Sequence, residues 1–132
     1  MSAQRNAIGI DIVEIKRLSK VSKKWGKAFL KKVYTERELA YAHSKRYPYQ
    51  HLAARFAAKE AIFKALGEVE KNFVGWKNIE ILNDGYGKPV VYWHGAAEVA
   101  RKKRNLKGAV VSLSHTDNYA VATAMLIFNK SK

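Results

Sequence analysis

Asp11, Glu60, Lys64 and His115 are the residues whose types and settings suit chemistry on a charged substrate. Glu60 poses the sharpest question. It lies in the stretch Phe-Ala-Ala-Lys-Glu-Ala-Ile-Phe-Lys-Ala-Leu-Gly from Phe56 to Gly67, which reads as a helix. At about 100° per residue, Leu52, Ala53, Phe56, Ala57, Phe63 and Gly67 share one small, apolar face, and Glu60 falls inside that arc with Lys64 one turn further on. An ionised, unpaired carboxylate there would be partly desolvated, so it needs Lys64, another cation or a metal ion beside it. The competing reading is an i,i+4 Glu60/Lys64 pair on a solvated edge, worth only ~0.3–0.5 kcal/mol. This helix alone does not separate the two.

The other candidates also carry two readings each. Asp11 follows Gly9-Ile10 at the end of an apolar run; with Glu14 three residues on, it could instead be the N-cap of a capping box. His115 closes Ser112-Leu113-Ser114-His115, where it shares a side with Val111 and Leu113 at the rim of a buried face. A histidine there is either a turn residue or a chemical one.

The elements that must position these residues follow from periodicity and punctuation. Ile8, Ile10 and Ile12 alternate on one side of a short strand, predicted to be its buried side. Ile15, Leu18, Val21, Trp25 and Phe29 then fit a helix carrying Lys16, Arg17, Lys20, Lys23, Lys24 and Lys27 on its other faces, with a break near Gly26. Thr35 with Glu38 marks a second, capped helix that ends before Pro48. The central helix runs from about Tyr49 to Leu66, stopped by Gly67, with Arg55 and Lys59 on a different side from Glu60. Trp76–Leu82 and Pro89–Trp93 form a hairpin around 83–88, Ala96–Arg104 a short basic helix, and Gly108–His115 with Tyr119–Phe128 a second hairpin. Segregated helices and antiparallel hairpins make the class α+β.

Composition sets the bounds. A chain of 132 residues with 48% hydrophobic residues is one domain with a real core, residues 1–7 being polar and frayed. The lack of cysteine and of any apolar run near the ~20 residues of a membrane span fits a cytoplasmic protein. The start of the chain lacks the build of a signal peptide. With 25 Lys and Arg against 11 Asp and Glu, the net charge of +14 implies a polyanionic partner. Nucleic acid, an anionic membrane, a phosphate-rich small molecule and an acidic protein all qualify.

Four signals can now be taken together: Gly9-Ile10-Asp11, the Phe56-x-x-Lys59-Glu60-Ala61-x-x-Lys64 helix, Gly87-Lys88-Pro89 and Ser112-Leu113-Ser114-His115. Their order and spacing resemble the 4'-phosphopantetheinyl transferases, and the short length matches the small, single-domain class. The resemblance covers about Ile8 to Phe128. It implies that family's fold, a small antiparallel sheet packed on a long central helix with shorter helices around it. It also implies a Mg²⁺-dependent enzyme, serving fatty acid biosynthesis, that moves the phosphopantetheine of coenzyme A onto a serine of apo acyl carrier protein and releases adenosine 3',5'-bisphosphate.

On that resemblance Asp11 and Glu60 are the metal ligands and catalytic acids, either of which could take the serine proton. Lys64 reaches the diphosphate, and His115 a coenzyme phosphate. Arg55, Lys59 and Lys88 are further phosphate contacts. Arg17 and Lys24 of the basic first helix dock the acidic carrier, Lys24 without an arginine's bidentate grip. Where the larger, two-lobed transferases carry a second acid, this chain has Val13, so two protein ligands to the metal are expected. The small class further implies a homotrimer with coenzyme A between subunits, and no nucleic acid or membrane. The competing hypotheses are a basic, non-enzymatic RNA-binding module using Tyr41, Tyr47 and Tyr49, and a basic adaptor for acidic proteins.

Overall fold

The computed structural model describes residues 7–67 and 75–130. The frayed start expected for residues 1–7 lies outside these, except that Ala7 already belongs to the first strand. In chain order the elements are β1 (Ala7–Glu14), α1 (Ile15–Val33), α2 (Glu36–His43), α3 (Pro48–Leu66), β2 (Ile79–Asn83), β3 (Pro89–Trp93), α4 (Gly95–Lys103), β4 (Leu106–His115) and β5 (Tyr119–Phe128). A single 3-10 turn, Trp76–Asn78, leads into β2.

The sheet is antiparallel and three-stranded in the order β1-β5-β4, while β2 and β3 form a separate hairpin. The register sets Asp11 opposite Ala122, which on its other side faces Leu113. Against this sheet lies α3, and its sequence explains why it can lie so close. Ala53, Ala54, Ala57, Ala58 and Ala61 are buried together with Leu52, Ile62, Phe63 and Leu66, so small side chains let neighbouring backbones approach. The helix is therefore buried on most sides. Lys64 is exposed and Glu60, which the sequence places inside the apolar arc, is half-buried.

Local punctuation acts as its chemistry dictates. Thr35 and Glu38 form a reciprocal capping box at α2. Gly67 ends α3 at φ 105°, and Gly26 kinks α1 at φ 66°, conformations that a side chain disfavours. Asp11, by contrast, caps nothing. It lies inside β1, which continues to Glu14, the N-cap residue of α1, whose side chain makes no capping bond.

β1 corrects a second expectation. Ile8, Ile10 and Ile12 are 69, 59 and 65% exposed, and Gly9, Asp11 and Val13 face inward. Alternation fixes which residues share a side, not which side turns in. Here Gly9 decides, because a Cβ built on it would lie 1.8 Å from the Ala61 carbonyl oxygen of α3. Only a glycine-bearing face can seat that closely. The isoleucine row continues across the sheet, with Met125 opposite Ile8 and Val110 beyond it, both exposed.

The rest of the core holds two buried ionic sites. Glu38 and Lys59 are fully buried at 2.8 Å from each other. Glu38 also accepts from the Thr35 and Ile81 backbone N–H groups at 2.8 and 2.9 Å, and Lys59 donates to the Trp76 and Ile79 carbonyls at 3.1 and 2.6 Å. Glu80 on β2 accepts from the Thr35 hydroxyl at 2.6 Å and pairs with Arg37 at 2.8 Å and His94 at 2.9 Å. Together they pin the start of α2 to β2 and to the start of α4.

Candidate active site

The site forms where β1 crosses α3. The contact between Gly9 and Ala61 brings the strand onto the helix backbone, and Asp11, two residues along on the same side, also faces α3. Lys64 closes the gap. Its ammonium donates to the Asp11 carboxylate at 3.0 Å and to the Ile10 carbonyl at 3.0 Å. Glu60 lies one helical turn before Lys64 on the same side, with neighbouring Cβ positions about 5–6 Å apart at that spacing. Asp11, Glu60 and Lys64, 49 or more residues apart in two of the three pairings, thus share one surface at this crossing.

Two half-buried carboxylates with a cation already between strand and helix make an all-oxygen donor set. Such a set suits a hard divalent ion that keeps water and substrate phosphate as its remaining ligands. Among the described residues no group of three or more His, Cys, Asp or Glu is placed so that it could hold a metal ion.

A second polar cluster lies at the other end of α3. His115, exposed at the end of β4, has its ring centroid 6.3 Å from that of His51, which meets Tyr41 edge-on at 5.6 Å. Arg55 stacks over Tyr41 at 4.1 Å. Its Nε donates to the Ile81 carbonyl at 3.1 Å, and its terminal nitrogens donate to the His51 carbonyl and the Asn83 side chain. Arg55 is buried, and burial draws its pKa below the usual guanidinium value. Lys88 is exposed at the mouth of the β2–β3 turn, which Asp84 holds through the backbone N–H groups of Tyr86 and Lys88.

Lys59 is where the sequence reading of the site fails. Its ammonium has no exposure, and its three hydrogen bonds to Glu38, Trp76 and Ile79 match its three N–H donors. It cannot reach a phosphate. Burial lowers its pKa, with the Glu38 charge opposing that shift. The residues that sequence reasoning missed are Glu38 as its buried partner, Glu80 with Arg37 and His94, and His51. Only Glu38 left a local trace, as a cap.

On α1, Arg17, Lys24 and the neighbouring lysines are exposed, and Lys24 reaches over the exposed Trp25 ring at 5.4 Å. The aromatics expected of an RNA-binding surface are differently placed. Tyr41 and Tyr49 are half-buried, Tyr41 against Arg55 and Tyr49 within 3.4 Å of the Ser22 hydroxyl; Tyr47 alone of the three is exposed.

Comparison with known proteins gives this geometry its class. Residues 7–124 match the family model of the 4'-phosphopantetheinyl transferase superfamily, and the chain belongs to that family. It is 42% identical over 118 residues, 89% of this chain and 92% of the relative, to the holo-[acyl-carrier-protein] synthase of Syntrophus aciditrophicus. Its fold matches the crystal structure of the Neisseria meningitidis holo-[acyl-carrier-protein] synthase with a TM-score of 0.84 at 33% identity, covering 91% of this chain and 96% of that one. A holo-(acyl-carrier-protein) synthase from Bacillus anthracis, in complex with coenzyme A (3',5'-ADP), matches with a TM-score of 0.72 at 31% identity over 93 and 96% of the two chains. Within the superfamily the chain therefore groups with the holo-[acyl-carrier-protein] synthases and is a phosphopantetheinyl transferase.

Proposed function

We propose that this chain transfers 4'-phosphopantetheine from coenzyme A to a serine of an apo acyl carrier protein, with Mg²⁺ held by Asp11 and Glu60, and releases adenosine 3',5'-bisphosphate. The observation that carries the reading is the 3.0 Å approach of Lys64 to Asp11 across the β1–α3 crossing, with Glu60 one turn away. Bound there, the ion would neutralise the diphosphate and hold the reacting oxygens in line. Asp11 or Glu60 takes the proton of the attacking serine hydroxyl. The serine oxygen forms its bond to the phosphorus that carries pantetheine as that phosphorus loses its bond to the bridging oxygen. Lys64 stabilises the charge left on the departing phosphate. His115 and Lys88 hold other phosphates of the coenzyme, while Arg55, buried and tied to Ile81, His51 and Asn83, adds its charge from behind Tyr41.

The same reading makes the enzyme a homotrimer with its sites between subunits. Two observations support this. His51 and Glu60 are nine residues apart, about 13 Å along α3 at 1.5 Å per residue, so the helix acid and the histidine cluster of one protomer stand apart. The exposed Ile8, Ile10, Ile12, Met125 and Val110 face is also the kind of apolar patch that a second copy covers. A sizing mass near 45 kDa (3 × 15.0 kDa) is expected, and a monomer at assay concentration would reject the shared site.

Arg17 and Lys24 draw in the acidic carrier through charge complementarity, in a cytoplasmic setting. No helix among the described residues is long and apolar enough to cross a membrane. The test is direct: purified protein, Mg²⁺, coenzyme A and apo carrier should yield carrier heavier by one phosphopantetheine, and EDTA should stop the gain. No gain with a carrier that a known transferase does modify would reject the function.

A further inference from the structure

Resting on the reading of Glu60 as a metal ligand, we propose that Glu38 and Lys59 are positioning residues for the reaction: their buried ion pair sets the rotation of α3 that turns Glu60 toward Asp11. Lys59 immediately precedes Glu60, about 100° away around the helix. Any turn of α3 about its axis carries both.

The alanine face of α3 does not set this angle by itself. Ala53, Ala54, Ala57, Ala58 and Ala61 let neighbouring backbones come close, but each side chain projects by a single carbon. So smooth a face fixes a separation more firmly than a rotation. The rotation is fixed on another side, where directional bonds run from α3 to β2. Arg55 donates to the Ile81 carbonyl at 3.1 Å, and one turn on Lys59 donates to the Ile79 carbonyl at 2.6 Å and the Trp76 carbonyl at 3.1 Å. The third Lys59 donor goes to Glu38 at 2.8 Å, and Glu38 also accepts from the Ile81 and Thr35 backbone N–H groups at 2.9 and 2.8 Å. Three elements, α2, α3 and β2, thus meet on one fully buried pair whose ammonium has every donor used. It has one place to sit.

The lever from this pair to the site is short. At the roughly 5–6 Å radius of a helical side chain, a turn of about 20° moves its end by about 2 Å. Half that displacement in a reacting constellation can cost on the order of 10²-fold in rate. Stability alone does not account for the pair, because apolar residues of similar volume often stabilise an interior as well as a buried ion pair or better. What the pair adds is one defined orientation of the helix that bears Glu60 and Lys64.

The experiment compares the full-length wild type with three variants. Glu38→Gln/Lys59→Met removes both charges together. Glu38→Asp keeps the charge and shortens its reach by one methylene, and so serves if the double variant does not fold. Leu106→Ala hollows the core at the start of β4 and touches no bond of the pair, as a control for lost stability. Urea melts rank stability, calorimetry with coenzyme A present gives Mg²⁺ affinity, and the carrier mass assay gives kcat and KM. The proposal expects the double variant, folded, to bind Mg²⁺ at least tenfold more weakly and to lose about 10²-fold in kcat, with KM for the carrier unchanged. Glu38→Asp should move both quantities the same way by about tenfold, while Leu106→Ala stays within about twofold of wild type in both. Folded pair variants that match wild type in Mg²⁺ affinity and kcat would overturn the proposal, as would equal losses in Leu106→Ala. Wild-type protein that binds no Mg²⁺ with coenzyme A present would overturn the metal reading itself, which a loss confined to the pair variants leaves standing.

Discussion

Replacing Gly9 by alanine tests how the site is assembled without touching a charged group. A Cβ at position 9 would meet the Ala61 carbonyl oxygen at 1.8 Å, whereas ordinary contact begins at 3.4 Å. The strand and helix must separate by about 1.6 Å (3.4 − 1.8), since backbone atoms cannot swing aside as a flexible side chain can. Overpacking of this kind costs about 1–3 kcal/mol or more. β1 is hydrogen-bonded to β5 along its whole length, so the chain can fold while carrying Asp11 away from Lys64 and Glu60. A displacement of about 1 Å in a reacting constellation can cost on the order of 10²-fold in rate. Gly9→Ala should therefore lose at least that much in kcat at a temperature where circular dichroism shows it folded. A folded variant with a near-normal rate would refute the claim that this crossing sets the catalytic geometry.

Three further outcomes follow from the interior and the surface. Lys59→Met strands the Glu38 carboxylate in a buried setting and should cost about 3–5 kcal/mol in chemical denaturation, with part recovered by adding Glu38→Gln; a single variant within 1 kcal/mol of wild type would refute the buried pair. Glu80 is pushed upward by burial but more strongly downward by hydrogen bonds from Arg37, Thr35 and His94, to a pKa of about 2 against 4.5. Its folded pKa is depressed, so its stabilisation is present above pH 4.5 and is lost as pH falls toward 2. It amounts to at most about 3 kcal/mol, less on the solvent-exposed Arg37 side. Urea melts of wild type and Glu80→Gln should differ at pH 7 and converge toward pH 2, and a constant difference would contradict the linkage. Arg17→Ala should raise KM for the carrier, more so at low salt, while KM for coenzyme A stays level; equal changes in both would remove Arg17 from the docking face.

Much of this architecture is written in short-range chemistry. The Thr35–Glu38 box, the Gly26 break, the Gly67 stop and both hairpins depend on residues within a few positions of one another, and they lie where local rules place them, except that the expected strand from Trp76 begins only at Ile79, after a 3-10 turn over Trp76–Asn78. What depends on distant pairing was less legible. Nothing near Lys59 announces that Glu38, 21 residues earlier, waits inside the protein, so its charge read as a surface cation. The inward face of β1 was misjudged for a related reason. Three isoleucines outweigh a glycine in any count of hydrophobicity, yet the glycine permits contact with α3 and leaves the isoleucines outside. Asp11 was ambiguous between cap and chemistry until the strand was seen to run past it. The exposed isoleucine row is an apolar patch of the kind that marks interaction surfaces.

The most direct measurement is calorimetric titration of Mg²⁺ into the protein with coenzyme A present, on wild type, Asp11→Asn and Glu60→Gln, alongside the carrier mass assay. Each variant should stay folded, bind the ion at least tenfold more weakly and lose turnover by about 10²-fold or more. Metal affinity and turnover that both persist when either acid is neutralised would contradict the shared role of Asp11 and Glu60.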